Sequence, residues 1–349
     1  MSDSIGKARG CAHDTLGTDV LGLFEGVFVD AVGVDIGGTK IAVGVVDAAG
    51  RILTKVRRPT QPEDPASIDA AIADAIEELS RTYDVQAVGV AAAGFASSDR
   101  NHMTFAPNIA WRDYPLGDNI RALIGRDDLT VVVENDANAA GWAEYVHGAG
   151  KGTGTMVMLT IGTGLGAAIV VNGELVRGAY GFAAELGHLC LVPDGLPCGC
   201  GQRGCWEQYA SGSALTREAR RAAADRPVRA ASLLERAGGD PSNIKGPHVT
   251  HAAMEGDELA IELLADLGRA IGEGCASIAA VLDPEVFVIG GGVIAAGDLM
   301  LGPAREAFAK HLTASGHRPL PPILAADMAN DAGIVGAAAL AREAVPLEF

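Results

Sequence analysis

Short apolar runs broken by glycine turns open the patterned part of the chain, which begins near residue 30. The stretch AVGVDIGGTKIAVGVVDAAGRILTKVRR holds three such runs and predicts three consecutive β-strands joined by tight turns. In the following EDPASIDAAIADAIEELSRTY, apolar residues recur at helical spacing behind Asp64 as N-cap and Pro65 at the first helical position. The Val-rich runs VQAVGVAAAG and LTVVVEND predict two more strands. Because such strands have no polar face, the pattern favours a central sheet covered by helices.

The second half of the chain repeats the pattern of the first. DIGGTKIAVGVVDAAGRI, from Asp35, aligns with TIGTGLGAAIVVNGELV, from Thr160, as strand, Gly/Thr turn, strand and second glycine turn. A long helix over about Glu258–Leu282, the strand VFVIGGGV, another helix, the strand ILAA and an Ala-rich helix from Asp331 follow. Two βββαβα-like halves predict a two-lobed α/β enzyme with a ligand in its cleft, chance alignment of short Gly/Val strings being the alternative.

Chain length and charge narrow the class of protein. The 349 residues exceed the limit of about 250–300 at which one core stops growing, so two domains are expected. We assign 1–29 to a mobile N-terminal extension, 30–140 with 331–349 to a small lobe, and 141–330 to a large lobe. A net charge of −17, with no long basic cluster, argues against nucleic-acid binding because polyanions are repelled.

Apolar runs and cysteines predict the compartment. No run approaches the ~18 apolar residues that cross a bilayer, and the first residues lack the apolar core of a signal peptide, so we expect a cytoplasmic protein without a membrane partner. Six cysteines in a chain of this length do not suggest a disulfide scaffold. Cys190 and Cys275 are expected to be lone buried thiols.

Glycine turns are candidate phosphate loops. Gly37, Gly38 and Thr39 follow Asp35 between two predicted strands, so that backbone amides can face an anion and Asp35 can reach a hydrated Mg²⁺. An ordinary glycine hairpin is the alternative. In the second half, GGG at 290–292 ends a strand before a helix, whose N-terminus suits an anion or the ribose and base of a nucleotide.

The segment IGTGLGA at 161–167 matches the dinucleotide fingerprint G-x-G-x-x-G/A only in its letters. That fingerprint leads from a strand into a helix, whereas the β-branched run AAIVVNGELV follows here. The context therefore predicts a second turn between strands, and we interpret the two turns as a pair of phosphate loops, one in each lobe.

VVVENDANAAGWAEY places Glu134, Asn135 and Asp136 at a strand end, immediately before a helix. Catalytic side chains are often presented at the carboxyl ends of the strands in α/β proteins. Asp136 can instead merely cap the helix, and the two roles compete for one side chain. Since Asn135 or Asn138 can take the cap, we favour a functional Asp136.

CGCGQRGCWEQYASG places three cysteines inside eight residues, downstream of the histidine of AAELGH. Three thiolates and one imidazole form a closed tetrahedral set for Zn²⁺, which predicts a structural metal because no position is open for water. A disulfide or free thiols are the alternatives, although a redox centre more typically uses C-x-x-C. The predicted ligands are His188, Cys198, Cys200 and Cys205.

Together these motifs resemble the ROK family (repressor, open reading frame, kinase) of sugar kinases, most of all its glucose-phosphorylating members from actinobacteria. The resemblance covers about 32–342 through VDIGGTK, APNIAW, VENDANAAGWAEY, TIGTGLGAAIV, AAELGH, CGCGQRGCWEQYASG and VIGGGV. It implies an actin/ribonuclease-H-like fold, homodimers or homotetramers, and transfer of the γ-phosphate of ATP to the 6-hydroxyl of glucose, with Mg²⁺ accompanying the nucleotide. The alternatives are a kinase for mannose, fructose or N-acetylmannosamine, a polyphosphate donor, and a catalytically silent sugar-sensing regulator.

The resemblance also implies a role for each matching residue. Asp136 would be the general base, and His188 would use one ring nitrogen for zinc and the other for a sugar hydroxyl. The residues implied to contact the sugar are Gly94, Asn108, Asn135, Asp136, Glu185, His188 and Glu207. Those implied to face phosphate and Mg²⁺ are Asp35, Gly37, Gly38, Thr39 and Lys40, and those implied to hold the nucleotide are Thr163, Gly164 and Gly291.

Overall fold

A computed structural model of the protein describes residues 30–346, so the extension expected over 1–29 lies outside the described residues. The strands are β1 (Asp30–Ile36), β2 (Lys40–Val46), β3 (Ile52–Pro59), β4 (Val85–Ala92), β5 (Phe95–Ala96), β6 (Met103–Phe105), β7 (Arg112–Tyr114), β8 (Thr130–Asn135), β9 (Met156–Ile161), β10 (Leu165–Val171), β11 (Glu174–Leu175), β12 (Val286–Gly290) and β13 (Ile323–Ala325). The α-helices are α1 (Pro65–Ser80), α2 (Leu116–Ile124), α3 (Asp136–Val146), α4 (Gly212–Asp225), α5 (Ala231–Arg236), α6 (Gly246–Met254), α7 (Glu258–Leu282), α8 (Asp298–His311) and α9 (Ala332–Glu343).

Two five-stranded sheets share one topology. The first has the order β3-β2-β1-β4-β8 and the second β11-β10-β9-β12-β13. In each sheet the first three strands of the chain pair antiparallel, and the last two extend the sheet in parallel. This duplicated order is the actin/ribonuclease-H-like fold, which confirms the predicted fold class and the internal repeat.

Helices α3 and α9 lie between the two sheets. A Cβ added at Gly89 of β4 would stand 1.8 Å from the carbonyl oxygen of Ala337 in α9, and one at Gly141 of α3 would stand 2.2 Å from the Cβ of Ala168 in β10. The two helices meet where a Cβ at Gly336 would come within 1.7 Å of a carbonyl oxygen of α3. Because no larger side chain fits, glycine sets the close approach of these layers. The predicted lobe boundaries at 140/141 and 330/331 stay a prediction.

The elements that the apolar pattern predicted are present. Helix α1 begins at Pro65, and the side chain of Asp64 accepts a hydrogen bond from the backbone N–H of Ser67, as expected of the N-cap. Sequence reasoning missed the three-stranded sheet β5-β6-β7 and helices α2, α5 and α6. After GGG the chain first forms a five-residue 3₁₀ helix, Gly292–Ala296, before α8. None of the described helices is long and apolar enough to cross a membrane.

Candidate active site

Asn135, not Asp136, caps helix α3. Its Oδ1 accepts hydrogen bonds from the backbone N–H groups of Ala137 and Asn138, at 2.9 and 3.0 Å. Its Nδ2 donates to the carbonyl oxygen of Gly94 at 2.9 Å, which ties the carboxyl ends of β4 and β8 together. Asp136 is the first residue of the helix and does not have to serve as its cap. Asn135, one of the two residues that the sequence offered for the cap, therefore takes it, and the functional role of Asp136 stays a prediction.

Several carboxylates lie close enough to influence one another around Asp136. Burial raises the pKa of Asp136. Burial and then the charge of Asp136 raise the pKa of Asp35 to about 6. Partial desolvation raises the pKa of Glu185 although its side chain is still 42% exposed; His188 opposes that shift, while the charges of Asp136 and Glu207 add to it. The fold therefore gathers acidic groups from both halves of the chain at one site.

The remaining residues predicted for the sugar have different settings. Gly94 follows β4 with a φ of 144°, and a Cβ there would stand 2.4 Å from the carbonyl oxygen of Phe105, so the position requires glycine. Asn108 is exposed in the loop after β6, and the hydrogen bonds of the described residues do not link it to the other predicted sugar ligands. Glu207 accepts a hydrogen bond from the backbone N–H of Leu165 at 3.0 Å.

The turn between β1 and β2 is open to solvent. Gly38, Thr39 and Lys40 are exposed, whereas Gly37 is held by a hydrogen bond from its N–H to the carbonyl oxygen of Lys40 at 3.0 Å. At the base of the turn, a Cβ added at Gly333 would stand 2.9 Å from the carboxyl carbon of Asp35. The Asp35 carboxylate therefore lies against the first turn of α9, where helix dipoles favour negative charge.

The turn between β9 and β10 lies beside the first turn of α4. The backbone N–H groups of Gly212 and Ser213 donate to the carbonyl oxygens of Gly162 and Thr163, at 2.8 and 3.3 Å. A cavity of about 820 Å³ opens here, within the range of small-molecule sites. Its lining is Gly162, Thr163, Gly212, Ser213, Leu215, Thr216, Arg217, Arg220, Gly246, Pro247, Thr250, His251, Gly292, Val293 and Ala295.

The cavity includes only part of the set predicted to hold a nucleotide. Thr163 lines it, and Gly291 directly precedes the lining residue Gly292. Gly164 faces elsewhere, because a Cβ there would stand 2.3 Å from Oε2 of Glu207. The contributions of α4 and α6 were missed, since a generic amphipathic helix carries no signal for a cavity at its N-terminus.

The predicted metal ligands form one cluster. The ligand atoms of the four residues all lie within 4.8 Å of one another. Sγ of Cys198 is 3.7 Å from Nδ1 of His188, and the Sγ atoms of Cys200 and Cys205 are 3.6 Å apart. Four such ligands placed tetrahedrally around zinc, at bond lengths of about 2.0–2.3 Å, lie about 3.5–3.8 Å from one another, and the two separations match that range. The thiols are too far apart for a disulfide, whose S–S length is about 2.05 Å.

The two lone thiols differ. Cys275 is fully buried in α7, as expected. Cys190 is exposed, so the expectation of burial was wrong there. It faces Cys205 across an isolated β-bridge in the surface loop that carries the cluster, where its neighbours His188 and Leu189 are exposed as well.

The fold and the site together define a two-lobed α/β protein with carboxylates gathered between duplicated sheets. A family model described as the ROK family matches residues 31–344. The chain is 48% identical to the glucokinase of Streptomyces coelicolor over 316 residues, 90% of this chain and 98% of that one. The chain therefore belongs to the ROK family, as the resemblance of its motifs predicted.

Solved structures agree with this assignment. A ROK family glucokinase from Streptomyces griseus, crystallised in complex with glucose and AMPPNP, is 48% identical, with a TM-score of 0.81 over 90% of this chain and 99% of that chain. The ROK hexokinase from Thermus thermophilus is 35% identical, with a TM-score of 0.76 over 91% of this chain and 99% of that chain.

Proposed function

We propose that the protein is a glucokinase, which transfers the γ-phosphoryl group of ATP to the 6-hydroxyl of glucose. The observation that carries the proposal is the setting of Asp136: a half-buried carboxylate of raised pKa at the start of α3, where Asn135 serves as the N-cap. The similarity to relatives named as glucokinases, one of them crystallised with glucose and AMPPNP, supports the same activity.

In this mechanism Asp136 is the general base. The 6-hydroxyl gives its proton to the carboxylate as its oxygen attacks the γ-phosphorus. The new O6–P bond forms while the bond to the β–γ bridging oxygen breaks, and ADP leaves with that electron pair. Burial raises the pKa of Asp136 and so brings its basicity closer to the working pH. Positioning and charge stabilisation supply most of the remaining rate.

The sugar is assigned to the acidic side of the cleft. Glu185, His188 and Glu207 come from the loops after β11, and the Gly94–Asn135 link comes from the ends of β4 and β8. Carboxylates and amides around a neutral polyol make hydrogen bonds that an analogue without the hydroxyl would leave unpaired, which gives selectivity. Asn108 completes the assigned set from its exposed loop. Both Asn135 groups already bond within the protein, so its part would be chiefly to hold this edge.

The nucleotide is assigned to the cavity beside α4. Thr163 and the first turns of α4 and α6 line it; because the first N–H groups of α4 bond the β9–β10 turn, this helix would act on phosphate oxygens through its dipole. The exposed residues Gly38 and Thr39 of the β1–β2 turn would face the γ-phosphoryl group from the other half of the chain, with Lys40 beside them. Mg²⁺ bound with the nucleotide supplies charge neutralisation. Asp35, whose carboxyl is crowded by other acids, fits a cation and would face it.

The Cys/His cluster is assigned to structural Zn²⁺. Its donor set is complete with four protein ligands, so we derive no chemical step through it. His188 directs Nδ1 to the thiols, and its Nε2 lies 4.0 Å from Oε2 of Glu185, so the second ring nitrogen is on the sugar side. Thiolate ligands are retained in a reducing compartment, which supports a cytoplasmic location. The family resemblance supports assembly as a homodimer or homotetramer. Sedimentation velocity of the purified protein tests this assembly.

A coupled assay tests the function. Purified protein with ATP and Mg²⁺ should phosphorylate glucose with a higher kcat/KM than mannose, fructose or N-acetylmannosamine, and ATP should exceed polyphosphate as donor. The alternatives have weaker support, since the relatives named as N-acetylmannosamine kinases share 33% identity against 48%. Preference for another hexose would reassign the substrate. An absence of ATP turnover with every sugar would favour the alternative of a catalytically silent sugar-sensing regulator.

A further inference from the structure

Glu134 is a buried carboxylate directly before the site, and both of its oxygens are bonded. Only 3% of the surface of Glu134 is accessible to solvent. Oε1 accepts hydrogen bonds from the backbone N–H of Asn135 at 3.1 Å and from Nδ2 of Asn138 at 3.0 Å. Oε2 accepts a hydrogen bond from Nε of Arg177 at 2.7 Å. The carboxylate therefore holds the turn that presents Asp136.

Arg177 carries this connection to the opposite side of the site. Its carbonyl oxygen accepts a hydrogen bond from the backbone N–H of Ala183 at 3.1 Å, closing a loop that leads to Glu185. The residue just before Glu185, Ala184, has a φ of 68°, so the direction of the chain there is tightly constrained. The Glu134–Arg177 ion pair thus joins the turn that presents Asp136, the proposed base, to the loop that carries Glu185.

The same loop also packs on the three-stranded sheet. The rings of Phe182 and Phe95 lie 4.7 Å apart, and a Cβ added at Gly181 would stand 2.2 Å from the carbonyl oxygen of Ala96 in β5. The loop is therefore held against elements from the first half of the chain at its tip and, through Arg177, at its base.

A role in stability alone is a poor explanation for this arrangement. A second arginine, Arg100, places Nε 3.8 Å from the same Oε2 of Glu134, and that Nε has no hydrogen-bond partner among the described residues. Burial and the charge of Arg177 lower the pKa of Arg100 to about 10. Buried charges that crowd in this way cost desolvation energy that an apolar contact of similar volume avoids.

We propose that the Glu134–Arg177 pair is a positioning couple for phosphoryl transfer, which sets Glu185 at its working distance from Asp136. This inference rests on the proposed glucokinase function. The couple acts through geometry, because neither residue has a place among the groups assigned to the sugar or the nucleotide. A displacement of about 1 Å at a reacting centre can cost about a hundredfold in rate.

The test uses the full-length protein with glucose, ATP and Mg²⁺. Arg177→Ala and Glu134→Gln should each lower kcat/KM for glucose by about ten- to a hundredfold. The KM for ATP should stay within about twofold of wild type, because the cavity by α4 is a separate set of residues. The double variant should lose about as much as the worse single one, since each change breaks the same link. Added guanidinium ion should restore part of the activity of Arg177→Ala, because it replaces the missing group.

Glu144→Gln is the matched control. Glu144 lies on helix α3, about two turns after Asp136, and is fully buried. Its carboxylate accepts hydrogen bonds from backbone N–H groups of Ala149, Asp327 and Met328. We expect Glu144→Gln to lower the melting temperature as much as Glu134→Gln does, while its kcat/KM for glucose stays close to the wild-type value.

The outcomes separate this inference from the proposed function. Wild-type protein that does not phosphorylate glucose would remove the function on which the couple rests. Active wild type with unchanged kinetics in Arg177→Ala would overturn the couple alone. Two outcomes would assign Glu134 and Arg177 to stability alone. One is an equal loss of kcat/KM in Glu144→Gln, and the other is a loss in Arg177→Ala that guanidinium does not restore and that follows the melting temperature.

Discussion

Glu207 accepts a hydrogen bond from the backbone N–H of Leu165 at 3.0 Å, and so joins the Cys/His loop to the glycine turn between β9 and β10. Glu207 belongs to the 3₁₀ helix Trp206–Gln208, which directly follows Cys205. Trp206 is fully buried, and its Nε1 donates to the carbonyl oxygen of Ala270 at 2.9 Å. The Cys/His cluster and the cleft are therefore connected by a short, anchored segment.

Gly164→Ala should disturb that connection. The added methyl group would stand 2.3 Å from Oε2 of Glu207, so the carboxylate must leave the N–H of Leu165. We expect the dissociation constant for glucose, measured without nucleotide, to rise about tenfold. Gly162→Ala is the control, since a methyl group there meets open space. Equal glucose affinities in the two variants would contradict the assigned role of Glu207.

Asp136→Asn should separate binding from catalysis. The amide keeps the size of the side chain but cannot take the proton of the 6-hydroxyl. Glucose should still bind, measured by calorimetry, while kcat falls by about two to four orders of magnitude. Turnover near the wild-type rate would refute the assignment of the base.

Cys200→Ala should remove the metal and stability together. Loss of one thiolate leaves an incomplete set, so zinc content measured by mass spectrometry should fall from about one per chain, with a melting temperature lower by about 5 °C or more. Cys190→Ser is the control, because this exposed thiol lies in the same loop and is not one of the four ligands. Unchanged zinc stoichiometry in Cys200→Ala would count against the site.

Asp35 should make stability depend on pH. Its pKa of about 6 in the folded protein exceeds the ordinary 3.8, so folding favours the protonated form. This contribution is present below about pH 4 and is lost as the pH rises through about 6. Asp35→Asn should therefore gain in melting temperature relative to wild type between about pH 4 and pH 7. If the gain in melting temperature of Asp35→Asn over wild type shrinks as the pH rises, the raised pKa of Asp35 is contradicted.

Ser213→Trp should block the cavity assigned to the nucleotide. Ser213 lies in the first turn of α4 and lines the cavity, so an indole there competes with the nucleotide for space. We expect the KM for ATP to rise at least about tenfold with unchanged glucose affinity. Ala224→Trp, at an exposed position near the other end of α4, should leave both unchanged. Unaltered ATP kinetics in Ser213→Trp would move the nucleotide elsewhere.

Much of the fold followed from local patterns. The strands around Asp35 and Thr160, the cap at Asp64 and the extent of α7 were all readable, because periodicity, turn glycines and caps act within a few residues. Helix α6 was missed, and so was the cavity that it lines together with α4. Their sequences carry no phosphate motif, and only their placement beside Thr163 makes them part of a site.

The sequence by itself determined the repeat, the two glycine turns and the four residues of the Cys/His cluster, since spacing and residue chemistry are properties of the chain. Only the tertiary structure decided that Asn135 caps α3, that Cys190 is exposed, and that Glu134 pairs with Arg177. It also raised the pKa of Asp136 by burial. Burial and pairing depend on neighbours supplied by distant parts of the chain, and a local pattern holds no record of those neighbours.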